Sequence, residues 1–145
     1  MKYTDWIIPR LRDLEQERAA LKNIPERILV LEMAFDGLKA ANTDGTVVSG
    51  GENHREEAML ANIAERDELE RNLKIIGAEV QQIERELGKL EPREIMVLTA
   101  AYIEHQKGYA EQLAERMGCD VSTVHRIRRE ALIKLAKRLH GVANL

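Results

Sequence analysis

A single cysteine, Cys119, stands among 145 residues, so no internal disulfide forms and nothing points to an oxidising compartment. Aromatic residues make up only 3% of the chain. With β-branched residues also few, this argues against a sandwich or barrel core. No apolar run approaches the roughly 18 residues of a membrane span; the densest, such as Ile28-Leu29-Val30-Leu31, are about four long. The opening M-K-Y-T-D-W carries no signal-peptide apolar region. Charged residues, in contrast, make up 32% and hydrophobic residues 44%, and Leu, Ala, Glu, Arg and Lys are abundant. That composition points to long helices. The length admits one compact domain or two small modules. The expectation is an all-α cytoplasmic protein with no membrane partner.

The formal net charge of −3 conceals a segregation. Residues 1–89 carry 13 Lys+Arg against 18 Asp+Glu, whereas residues 121–145 hold six bases and one acid, Glu130. A local basic face is felt by a polyanion within a Debye length. The same enrichment also suits the C-terminal end of a helix dipole.

The chain reads as two regions. Residues 1–90 form a helical, coiled-coil-type oligomerisation region. Within it Ile7, Leu11, Leu14 and Leu21 share one helical face, with Pro9 tolerable only in a first turn. Asn23-Ile24-Pro25-Glu26 punctuates, and Pro25 suits the first position of a second helix bearing Ile28, Leu31, Phe35 and Leu38. A helical hairpin or one kinked rod results. A Gly-rich stretch follows at 42–54; it lacks the G-K-[ST] and preceding strand of a phosphate-binding loop and reads as a connector. Leu69, Leu73, Ile76, Val80, Ile83, Leu87 and Leu90 then repeat at heptad spacing, while Asn62 and Arg66 occupy the corresponding positions upstream. So narrow a seam needs a partner helix. The reading favours self-association, as a dimer, over the N-terminal hairpin folding back.

Residues 91–145 begin at Glu91-Pro92, with Ile95, Leu98 and Tyr102 marking a short helix that Gly108 ends. Next comes Y-A-E-Q-L-A-E-R-M-G-C-D-V-S-T-V-H-R-I-R-R-E-A-L. Ala114 is small where two helices cross, Gly118 supplies a left-handed turn, and Val124 and Ile127 seat the second helix on the first. Leu113, Met117 and Cys119 complete the apolar set. Asp120 stands as N-cap, its carboxylate available to first-turn amides. This spacing predicts a helix-turn-helix with Ser122, His125, Arg126 and Arg129 turned outward, as on a major-groove reading helix. Arg126 and Arg129 suit bidentate contacts to guanine. Ser122 and Thr123 suit phosphate or backbone positioning, His125 a base or phosphate. Arg128, Lys134 and Lys137 suit non-specific attraction, which is salt-dependent.

The stretch L-E-P-R-E-I-M-V-L through V-S-T-V-H-R-I-R-R-E-A-L-I-K-L resembles region 4 of bacterial sigma factors, the domain that reads the upstream promoter element. With I-P-E-R-I, the D-G-T-V-V-S-G-G loop and the heptad helix, the whole chain resembles sigma-like regulators of phages and prophages, of the RinA/ArpU type. The resemblance implies a late-gene activator acting on double-stranded DNA in a bacterial host, in contact with host RNA polymerase or as part of a split sigma-like factor. Nothing matches the sigma domain that melts promoters and uses aromatic residues, since residues 1–89 hold only Tyr3, Trp6 and Phe35. Asp120 stands where that family often has serine. Alternative roles for the same features are a small-terminase-like DNA-packaging protein and an anti-sigma or anti-repressor. The four histidines lack metal-ligand spacing, and no catalytic constellation or cofactor motif is found; an enzyme is not expected.

Overall fold

Five α-helices and one π-helical turn succeed one another in the computed structural model, which describes residues 2–41 and 51–141. They are α1 (Thr4–Ala40), α2 (Gly51–Leu87), α3 (Pro92–Leu98), the π-helical turn Thr99–Ile103, α4 (Tyr109–Met117) and α5 (Val121–His140). No strand occurs among the described residues, and none of their helices is long and apolar enough to cross a membrane. The all-α class expected from composition holds.

The expected break at Asn23-Pro25 is absent, and α1 runs through it unbroken. A proline inside a helix removes one hydrogen bond and crowds the carbonyl four residues before it, at a cost of about 3 kcal/mol. Propagation on both sides and a cross-helix contact surface outweigh that cost. Pro9 likewise lies beyond the first turn, because α1 begins at Thr4, and Ile7 already donates its amide to the Tyr3 carbonyl at 3.0 Å. Of the Gly-rich stretch at 42–54, residues 42–50 lie outside the described residues, and Gly51 already opens α2.

The chain divides into two compact units, Met1–Arg18 with Glu79–Leu145, and Ala19–Ala78. The boundary read at Leu90 and Glu91 therefore falls inside the first unit. There Ile7, Leu11 and Leu14 from the start of α1 are buried, as are Val80, Ile83 and Leu87 from the end of α2. Arg10 of α1 donates to the Glu79 carbonyl and to Gln82 Oε1, and Arg18 pairs with Glu84 at 2.7 Å. Helices α3, α4 and α5 complete this core through Val97, Leu98, Leu113, Ala114, Val124, Ile127, Leu132 and Leu135. Trp6 lies against the His140 ring, 3.8 Å between centroids. Near α3, Glu91 caps the helix, its amide bonded to Glu94 Oε1 at 3.1 Å, with Pro92 in the first turn where its missing N–H is harmless. The π-helical turn closes with the Glu104 amide on the Thr99 carbonyl at 2.8 Å.

In the second unit α1 and α2 run antiparallel. Leu21 lies by Gly77, Arg27 pairs with Glu65 at 3.2 Å, and Asn62 Nδ2 donates to the Leu31 carbonyl at 2.8 Å. Asn62 and Arg66 thus fill the seam where the heptad lacks apolar residues. Arg66 donates to Asn62 Oδ1 and sits 4.9 Å from the Phe35 ring centre. The heptad seam that was expected to face another subunit is, in each unit, turned to α1 of the same chain.

Candidate nucleic-acid interface

The α4–α5 corner follows from three residues. Gly118 adopts φ 66°, ψ 38°, a region that costs other L-residues roughly 1–2 kcal/mol. The Cys119 amide bonds to the Ala114 carbonyl at 3.0 Å and the Gly118 amide to Glu115 at 3.4 Å. This paired closure satisfies the last carbonyls of α4. Asp120 then turns extended (φ −81°, ψ 155°) and α5 starts. Its carboxylate makes no cap bond, contrary to the sequence expectation; the Asp120 carbonyl instead takes the amides of Thr123 (3.0 Å) and Val124 (3.3 Å). The backbone alone sets this entry.

Behind the corner, Val97, Ala100, Ala110, Leu113, Ala114, Val124 and Ile127 form one buried cluster, edged by Tyr109, Met117, Cys119 and Val121. The apolar positions singled out for the α4–α5 pair, Leu113, Ala114, Met117, Cys119, Val124 and Ile127, all lie in it or at its edge. Seating Val124 and Ile127 inward fixes the outward arc of α5 by helical geometry. Ser122, Arg126 and Arg129 are exposed, while Thr123, His125 and Arg128 are half-buried. Ser122 and Arg129 stand seven residues apart, about 10 Å along the axis and nearly on one line.

Lys134 and Arg138, further along α5, have internal partners. Lys134 Nζ pairs at 3.1 Å with Glu94, whose side chain is only 6% exposed. Hydrogen bonding to that carboxylate holds the Lys134 ammonium above the ordinary lysine range, against its own desolvation. Arg138 pairs with Glu86 at 3.3 Å, and Lys89 shares the same carboxylate. Burial alone would raise the Glu86 carboxyl, but the Lys89 hydrogen bond and the Arg138 charge pull it below its usual range. Lys89, Leu90, Glu91, Glu94, Lys134, Lys137 and Arg138 line a cleft of about 390 Å³. Glu94 in its wall and Glu86 outside it pair with three of its four cations.

Arg128 points inward: its Nη1 donates to the Tyr109 hydroxyl at 3.5 Å, and its Nε is sealed from solvent with no hydrogen-bond partner. Burial pushes the Tyr102 phenol upward, a shift the nearby Arg128 charge opposes. The His125 ring meets Tyr109 edge-on at 6.4 Å, its Nδ1 also buried without a partner. The arrangement therefore separates the sequence-derived set. Ser122, Arg126 and Arg129 form an open arc with Thr123 and His125 at its flank, while Arg128 turns to Tyr109 and Lys134, though exposed, is paired with Glu94. Glu94, Glu86 and Tyr109, which engage those cations, went unnoticed in the sequence. The E-P-R-E spacing that makes Glu94 a helix-start residue was the available signal. Among the described residues, no group of three or more His, Cys, Asp or Glu is placed to hold a metal ion. No family model matches this chain, and neither a curated protein nor a solved structure matches it.

Proposed function

We propose that this protein is a sequence-specific regulator of transcription that binds double-stranded DNA through the N-terminal half of α5. The observation that carries the reading is the open arc of Ser122, Arg126 and Arg129 on a helix whose opposite face is locked into a core. A helix presented this way fits the major groove, and two exposed guanidinium forks at (i, i+3) suit guanine edges. Arg128, Lys134 and Arg138 brace the helix, so phosphate attraction falls to fewer cations than the raw charge of residues 121–145 suggests. The resemblance to sigma region 4 and to phage late-gene regulators supports a promoter-proximal site and contact with host RNA polymerase. No catalytic or cofactor role enters this reading.

Selection of binding sites from a random duplex pool tests it. Wild-type protein enriches one motif, and Arg126→Ala or Arg129→Ala relaxes preference at a single base pair by about 5- to 150-fold, the equivalent of 1–3 kcal/mol. Far-UV circular dichroism stays unchanged, because both side chains are exposed. No enrichment by the wild type at low salt, or an unaltered motif from both variants, defeats the proposal.

A further inference from the structure

Six of the seven large apolar side chains exposed among the described residues belong to the unit Ala19–Ala78. Among the described residues of that unit, Leu31 is the only buried hydrophobic side chain. Two helices alone leave the flanks of their seam open and have little core. Three of the exposed residues form one patch on α1: Leu29 is 56% exposed, Val30 53% and Met33 66%. Leu29 and Met33 lie on the side of α1 opposite Leu31, which meets α2, and Val30 lies beside them.

Two further observations identify what covers the patch. Gly37 stands inside α1, one turn beyond Met33, where a Cβ would meet nothing within 4 Å. Glycine weakens a helix interior, and no contact among the described residues requires it there; close approach by another helix would. Charge supplies the orientation. Lys22 and Asp36 are both exposed and flank Leu29 at seven residues on either side. The heptad spacing sets each about 10 Å from Leu29 along the axis and within roughly 20° of its direction.

We infer that a second copy of this chain docks on α1, antiparallel and related by a two-fold axis near Leu29. An apolar patch crossed by such an axis meets itself. Lys22 of each copy then lies beside Asp36 of the other, so two identical ion pairs close the ends. The missing Cβ at Gly37 leaves room for the Lys22 stem to pass. A parallel pairing would set like charges together and is disfavoured. The contact uses the outer side of α1, not the heptad seam, and does not depend on the DNA-binding proposal.

Sedimentation equilibrium of the full chain decides the matter, with circular dichroism as the check on folding. Wild-type protein has twice the chain mass, and Leu29→Glu weakens association by more than about tenfold, since two charges enter the axis together. Lys22→Glu and Asp36→Lys each weaken it several-fold, and the combined Lys22→Glu/Asp36→Lys variant restores wild-type affinity. A wild-type mass of one chain at roughly a hundred micromolar overturns the inference, as does a mass above a dimer. A dimer indifferent to Leu29→Glu, or a charge-swapped double variant weaker than both single ones, overturns it equally.

Discussion

Replacing Gly118 by alanine isolates one physical quantity. The residue sits at φ 66°, and a Cβ built on it meets nothing within 4 Å. The cost is therefore backbone strain without a clash. A left-handed L-residue costs roughly 1–2 kcal/mol, and alanine recovers about 0.4–1 kcal/mol by restricting the unfolded chain. A net loss near 1 kcal/mol is expected. Trp6 is the sole tryptophan and packs on His140 in the same unit, so its fluorescence follows the unfolding of this unit under urea. With a slope of about 2 kcal/mol per molar, the midpoint falls by ~0.5 M. Asparagine, which tolerates this conformation, falls less. A midpoint unchanged by alanine, or a loss beyond about 3 kcal/mol as a clash would give, refutes the reasoning.

Glu94→Ala removes the acceptor of both the Glu91 amide and Lys134, and lowers stability by about 1–3 kcal/mol in the same urea assay; Glu94→Gln, which keeps an acceptor, loses less. Glu86 is held below the ordinary carboxylate range in the folded protein, so the stability it contributes is present above that range and is lost as pH falls through its lowered value. Glu86→Gln therefore flattens the acid limb of a plot of urea midpoint against pH, and an unaltered limb counts against the Lys89–Glu86–Arg138 network. Pro25→Ala restores a helical amide at an exposed site and raises the thermal midpoint read by circular dichroism, with up to about 3 kcal/mol available. A lower midpoint would show that Pro25 serves the fold.

Local spacing made much of the corner legible. Ala114, Gly118, Val124 and Ile127 each have a stereochemical reason to be where they are, and each lies as that reason requires. The 4-3 heptad repeat likewise located the inner face of α2. Its partner was not legible, because periodicity specifies that a seam needs a helix and not which chain supplies it. Pro25 misled for a related reason: a turn signal states a local cost, and contacts across α1 and α2 override it. The engagement of Arg128 and Lys134 was invisible because it depends on Tyr109 and Glu94, 19 and 40 residues away. Charge counts along a sequence do not register such pairings.

The contact between Trp6 and His140 joins residues near opposite ends of the chain. During synthesis Ile7, Leu11 and Leu14 are made before the rest of this core, and α5, which completes it, follows more than a hundred residues later. At roughly 5–20 residues per second that interval is on the order of ten seconds. For that time the growing chain carries the apolar stripe of Ile7, Leu11 and Leu14 without α5 to cover it, and the core closes only once α5 has been made.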